Sequence, residues 1–196
     1  TAASEEFSGR WKGRLEKEFP GVGLPAGEPE PGESGVLSSF SAEWLGYGWS
    51  QEMYWSQPTQ DWLRSMRFAL DVDHCSLDGS RVLEVGTGIG GVSADLCRQS
   101  ECEVVGVDLS YAIDVAEREF GSDPFAHFVQ CSVFGLPFRP ELFDFAFSFG
   151  VLHHTFDTRK AFEQLSVRVR RGGRLSVWIY SPANEERTWV RRLLMG

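Results

Sequence analysis

The sequence has little cysteine and no Cys-x-x-Cys pair: only Cys75, Cys97, Cys102 and Cys131 are present. No histidine spacing completes a zinc set with them, so no metal site is expected, and free thiols in a reducing compartment are the natural reading. It lacks any apolar run of about 18 residues, the length a membrane helix needs. The opening residues TAASEE are small and acidic, with no apolar stretch behind them, unlike a secretory leader. A soluble, cytoplasmic protein is therefore expected, with no membrane span. Positive charge is scarce as well. Nineteen Lys and Arg face 28 Asp and Glu, a formal net charge of -9, which argues against a nucleic-acid backbone as the main partner. The one basic cluster, Arg168, Arg170, Arg171 and Arg174, reads as a helix C-terminus facing its dipole. No segment repeats internally.

What is present is ordinary in bulk and specific in one place. Hydrophobic residues make up 42% and charged ones 24% of 196 residues, enough for one globular domain with an appendage. The specific place is Arg81 to Gly91, RVLEVGTGIGG. Val82, Leu83 and Val85 form a short apolar run suited to a strand buried on both faces. Gly86, Gly88, Gly90 and Gly91 follow, then a helical pattern. Strand, glycine turn and helix together let a backbone approach a ligand and aim free N–H groups at it. Gly86-x-Gly88-x-x-Gly91 fits a dinucleotide fingerprint, with Asp108 placed 22 residues after Gly86 as the ribose-binding acid. Glu84, two residues before the first glycine, points elsewhere. A carboxylate repels a pyrophosphate and attracts a cationic ligand.

Along the chain, residues 1–57 read as an irregular, aromatic-rich N-terminal extension. Glu5 to Phe19 is a candidate helix and Pro20 to Ser39 a flexible or extended loop. Five of the seven tryptophans precede residue 63, and Phe40 to Trp55 is dense in aromatics that must bury against something or close as a lid over a site. Residues 58–196 read as the core domain. Pro58 to Asp71 is a helix capped by Thr59. Strands are expected at 81–85, 103–108, 125–130, 143–149 and 174–180. Helices are expected between them: one capped by Ser110 and ended by Gly121, one over Thr158 to Arg170 stopped by Gly172-Gly173, and an amphipathic one at Asn184 to Met195. Alternating strands and helices imply parallel pairing with right-handed crossovers.

From Arg81 to Tyr180 the chain resembles the class I S-adenosylmethionine-dependent methyltransferases of the small-molecule type. The resemblance covers about half the chain. VLEVGTGIGG is similar to motif I and VVGVDLS to motif II. VQCSVFGLPFRPELFDFAFSFGVLHHTFD is similar to the family's third strand, loop and fourth strand, and VRRGGRLSVWIY to its turn and fifth strand. The resemblance implies a doubly wound, mainly parallel α/β sheet of Rossmann-like methyltransferase type, with five strands in order 3-2-1-4-5. It implies S-adenosyl-L-methionine as cofactor. Gly86, Thr87, Gly88 and Gly90 would wrap its methionine end and ribose, with Glu84 acting on its ammonium. Asp108 would take both ribose hydroxyls, and Leu109 would lie on the adenine. Ser132 and Val133 would meet the adenine edge, Ser132 standing where the family often has Asp. Ser148 and Phe149 would contact the methionine part. His153 and His154 are the weak candidates for acid–base work, though methyl transfer from a sulfonium needs positioning more than a base.

The family sheet normally carries two further strands after the fifth, and 16 residues follow Tyr180. The sheet is therefore expected to be C-terminally short, the chain being either a fragment of a longer one or a protein with an uncovered edge open to a partner copy. Two other readings remain at this point. One is an NAD-dependent oxidoreductase on the same glycines; the other is a non-catalytic module that binds S-adenosylmethionine without turnover.

Overall fold

A computed structural model of the chain describes residues 32–47, 53–54, 57–72, 76–181 and 184–193. In chain order the elements are α1 (Ser34–Tyr47), the two-residue strands β1 (Met53–Tyr54) and β2 (Gln57–Pro58), and α2 (Thr59–Leu70). Then come β3 (Arg81–Val85), α3 (Gly91–Gln99), β4 (Glu103–Asp108), α4 (Ala112–Phe120), β5 (Ala126–Gln130), β6 (Phe143–Phe149), α5 (Thr158–Ser166), β7 (Val169–Ser181) and β8 (Asn184–Leu193). Short 3-10 turns at Val133–Gly135 and Leu152–His154 follow β5 and β6.

The sheet runs β5-β4-β3-β6-β7-β8. Its first five strands are parallel, in the expected 3-2-1-4-5 order. All five residues of the central strand β3 are buried, as a strand covered on both faces requires. Successive side chains alternate between two cores. Val82, Val104, Phe145 and Phe147 pack with residues of α2, α3 and α4 on one face. Leu83, Val85, Val105 and Val107 pack with Ala161 and Leu165 of α5 on the other. This split places Glu84 on the α3 face.

Several local expectations are corrected. Ser34 onward is helix rather than loop, so part of the extension is regular. Thr59 is the first residue of α2 and Pro58 precedes the helix. Helix α5 ends at Ser166, well before Gly172-Gly173, and is capped by Asp157, whose side chain accepts from the Lys160 N–H at 2.9 Å. The two glycines instead sit within β7, where its register against β6 shifts between Phe143 and Phe145. The arginine cluster is thus no helix C-terminus. Arg170 Nε is 2.6 Å from Asp144 Oδ1, Arg171 pairs with Glu141, and Arg174 lies over the Phe145 ring. Asn184 to Leu193, expected as a helix, is the antiparallel strand β8 paired along β7. The sheet therefore has a sixth strand, and the edge of the fifth strand is covered from within the chain. The candidate helix at 5–19, Trp49, Trp55 and Cys75 lie outside the described residues.

The N-terminal ends of the central strands hold a buried ionic group. Arg81 and Glu103 are each 1% exposed at the side chain and approach to 3.7 Å, and His127 Nε2 is 2.9 Å from Glu103 Oε1. The Arg81 N–H donates to Asp144 Oδ2 at 2.8 Å. This end of the sheet is structural. The crevice discussed next lies at the other end.

Candidate functional site

Parallel strands that alternate with helices leave a crevice outside their carboxyl ends, where the winding reverses. Here the reversal falls between β3 and β6, and the turn after β3 is Gly86–Gly90. Glu84 stands on the last turn-side stretch of β3. Thr87 Oγ1 and Ser93 Oγ donate to its Oε2 at 3.0 and 2.5 Å. It is 6% exposed, and burial, with Asp108 adding to it against the pull of the two hydroxyls, lifts its pKa to about 7.

Asp108 ends β4 and turns toward the glycine turn. Its Oδ2 accepts from the Gly88 N–H at 2.8 Å, and its Oδ1 accepts from the Ser110 N–H at 2.8 Å and the Ser110 hydroxyl at 2.7 Å. Burial raises its pKa above the ordinary carboxylate value despite these donors. Neither Glu84 nor Asp108 has an ion-pair partner among the described residues. A buried and a half-buried carboxylate, with no cation paired to either among the described residues, make a site whose electrostatics favour a positively charged ligand.

The turn itself corrects one expectation. Its N–H groups are not free: those of Gly86 and Thr87 donate to the Val107 carbonyl at 2.8 and 3.0 Å, that of Gly88 to Asp108, and that of Gly90 to the Thr87 carbonyl at 3.0 Å. A pyrophosphate would find these four donors already engaged and two carboxylates beside it. Gly86 and Gly88 have φ of +83° and +54°, and an added Cβ would lie 2.1 Å from Val151 Cγ2 and 3.0 Å from Trp44 Cζ2 respectively. In this structure the protein's own side chains already press on the turn.

Trp44 belongs to α1, which crosses the mouth of the crevice. Phe40 meets the His154 ring edge-on at 5.0 Å between centroids. Ser41 Oγ accepts from the Tyr111 N–H at 3.1 Å, and Trp44 packs beside Ile89, Ala112 and Val115. Just before the helix, Glu33 Oε1 accepts from Ser132 Oγ at 2.6 Å. The helix and the residue before it thus touch the loops after β3, β4, β5 and β6.

The other expected site residues fall into two groups. Leu109 is half-buried, its carbonyl held by Gln130 Nε2 at 3.1 Å. Ser132 faces Glu33 and also accepts from the Phe134 N–H at 3.0 Å, capping the 3-10 turn. Val133, in contrast, is buried in the α5-side core. The Ser148 hydroxyl, fully buried, donates to the Val85 carbonyl at 2.9 Å, so its side chain serves the sheet. Phe149 stacks on Trp178 at 6.3 Å. His153 and His154 lie with ring centroids 4.0 Å apart. Burial and the neighbouring His154 hold His153 down to about 4, which keeps it neutral at physiological pH. A separate depression of about 450 Å3, lined by Arg139, Glu141 and Val169 among others, lies by the start of β6 and β7, remote from the crevice.

Sequence reasoning missed Ser93, Ser41 and Glu33. Ser93 carried a faint signal, a hydroxyl on the buried face of the helix after the turn. Glu33 carried none, since it lies in a stretch read as loop.

Comparison with known proteins adds the following. The methyltransferase domain family matches residues 83–177. An O-methyltransferase of Penicillium expansum is 27% identical over 169 residues, covering 80% of this chain and 61% of that protein. Among solved structures, phosphoethanolamine N-methyltransferase 2 of Haemonchus contortus, in complex with phosphomonomethylethanolamine and S-adenosylhomocysteine, superposes with a TM-score of 0.54 at 26% identity. That match covers 63% of this chain and 32% of the other. The [4+2]-cyclase SpnF superposes with a TM-score of 0.62 at 20% identity, covering 85% and 67%, a likeness of fold. The chain spans between 32% and 61% of the length of the curated relatives just named or similar to them. No helix among the described residues is long and apolar enough to cross a membrane.

Proposed function

We propose that the chain is a class I S-adenosylmethionine-dependent methyltransferase whose crevice binds S-adenosyl-L-methionine and serves methyl transfer to a small-molecule acceptor. The observation that carries this is the pair of carboxylates, buried Glu84 and half-buried Asp108, flanking a turn whose N–H groups at 86, 87, 88 and 90 are already bonded. That pair of acceptors suits a ligand with a sulfonium, an ammonium and a diol. It disfavours the pyrophosphate of NAD.

In this reading Asp108 holds the ribose hydroxyls. Its two oxygens carry three donors in the structure, and a carboxylate has room for about four, so a ribose hydroxyl fills the remaining place or displaces the Gly88 N–H. Glu84, steadied by Thr87 and Ser93, sets a negative field for the ammonium. Leu109 and the 131–133 stretch flank the adenine. The cofactor supplies an electrophilic methyl, and the protein's part is to align the acceptor in line with it and exclude water. His153, neutral at physiological pH, and His154 beside Phe40 line the acceptor side of the mouth. Extension 1–57, through α1, acts as the lid of a core formed by 58–196.

A small molecule, rather than nucleic acid, is the acceptor class favoured by the net charge of -9. A cytoplasmic setting suits the free, buried thiols of Cys97, Cys102 and Cys131. Isothermal titration with S-adenosylmethionine and S-adenosylhomocysteine tests the proposal. Heat from both is expected, and a folded protein that gives heat with neither defeats it. Turnover on a metabolite panel then separates an enzyme from a module that only binds.

A further inference from the structure

The wall of the crevice facing β5 is built by a residue that precedes the family-matched region by 50 positions. Gly32, at φ +103°, seats against Phe156. This fixes where the chain enters α1. Glu33 follows, and its backbone carbonyl accepts the Leu37 N–H at 2.8 Å as the helix begins. The Glu33 carboxylate reaches across 99 positions of sequence to the Ser132 hydroxyl at 2.6 Å, and the residue is only 4% exposed.

This arrangement fixes what Ser132 has left to give. A hydroxyl has one proton and two lone pairs. The proton goes to Glu33, and one lone pair takes the Phe134 N–H. The strong acceptor at this point of the crevice is therefore the carboxylate of Glu33. Cys131, one residue earlier, is pushed up to about 12 by burial and by the negative charges of Asp108 and Glu33, which places both carboxylates on the same space.

We propose that Glu33 reads the base of the bound nucleoside by accepting from its exocyclic amine, making the site selective for a 6-aminopurine over a 6-oxopurine. The inference rests on the proposed cofactor reading, which puts the base against residues 131–133. An amine donates to a carboxylate. A 6-oxo group turns a second acceptor toward it, and two opposed acceptors in a desolvated site repel. Glu33 thus couples base recognition to closure of α1, because the same side chain anchors the start of the helix that carries Phe40, Ser41 and Trp44 over the mouth.

The test crosses two proteins with two ligands by isothermal titration. The ligands are S-adenosylhomocysteine and its deaminated analogue, S-inosylhomocysteine; the proteins are the unmodified chain and Glu33→Gln, with thermal melts confirming folding. The unmodified chain should prefer the adenosyl ligand by about ten- to a hundredfold, the range of a lost charge-assisted hydrogen bond. Glu33→Gln, able to donate as well as accept, should shrink that preference to about threefold or less. Ser132→Ala removes the hydroxyl but keeps the carboxylate and should retain the preference. Three results overturn the inference: equal weakening of both ligands in Glu33→Gln, which makes Glu33 an anchor only; an unchanged preference in Glu33→Gln; or loss of the preference in Ser132→Ala alone. No binding of S-adenosylhomocysteine by the unmodified folded chain overturns the cofactor reading itself and this inference with it.

Discussion

Glu84→Gln is predicted to have opposite effects on stability and on cofactor binding, and pH separates them. Burial lifts the Glu84 carboxyl from an ordinary 4.5 to about 7. A raised acid stabilises the folded chain fully below the unfolded value and loses that contribution as pH rises through the folded one. Above pH 7 the ionised group therefore weighs on the fold by about 3 kcal/mol, from about 1.4 kcal/mol for each pH unit between the two values. A cationic ligand reverses the balance, since it selects the ionised form. With a pKa near 7, the ionised fraction grows about tenfold between pH 6 and pH 8, and affinity should grow with it. The ligand's own amine titrates in this range, so the informative quantity is the ratio of affinities of the unmodified chain to Glu84→Gln at each pH. That ratio should rise about tenfold from pH 6 to pH 8 and then level off. Glu84→Gln, which keeps an acceptor for Thr87 and Ser93, should melt at a higher temperature than the unmodified protein at pH 8 without ligand. Isothermal titration with S-adenosylhomocysteine at pH 6, 7 and 8, with melts at the same pH values, reads both. A ratio that stays flat across the series refutes the assignment of Glu84 as the ammonium's counter-charge.

Asp108→Asn keeps the shape of the turn but removes its charge; S-adenosylhomocysteine should bind more weakly by about 1.5–3 kcal/mol in the same titration. Gly86→Ala drives a Cβ into Val151 at a φ of +83°, and urea unfolding should show a loss of about 2–5 kcal/mol from crowding and backbone strain together. Adding Val151→Ala should return the crowding share and leave the strain. Glu103→Ala removes the buried carboxylate that Arg81 and His127 both face, and should cost about 3–5 kcal/mol by urea unfolding while sparing ligand affinity in the folded protein, because it lies at the far end of the strands.

The five parallel strands were legible because each is a short apolar run bounded by turn residues. Glu84, the glycine turn and Asp108 were legible because their spacing ties them to a strand–turn–helix unit and the strand beside it. The errors have physical causes. Asn184 to Leu193 carries charges at helical spacing, but the outer edge of β7 offers unpaired backbone groups, and pairing with them overrides local preference. Gly172-Gly173 read as a helix stop, whereas Asp157 sets where α5 begins and the short helix closes at Ser166. Glu33 was illegible because its partner lies 99 residues away, and only the path of α1 brings them together.

The pairing of β3 with β6 has a consequence for biosynthesis. Val82 lies opposite Phe145, so the central strand gains its second neighbour only after more than sixty further residues have left the ribosome. Until then a strand that is buried along its whole length in the finished fold has one side open while β4 and β5 are already available on the other. Nascent chains caught in that interval present an unpaired hydrophobic edge, the kind of surface that chaperones shield and that seeds aggregation. Slowing translation before Phe143 should lower the soluble yield, and slowing it just after Phe149 should not.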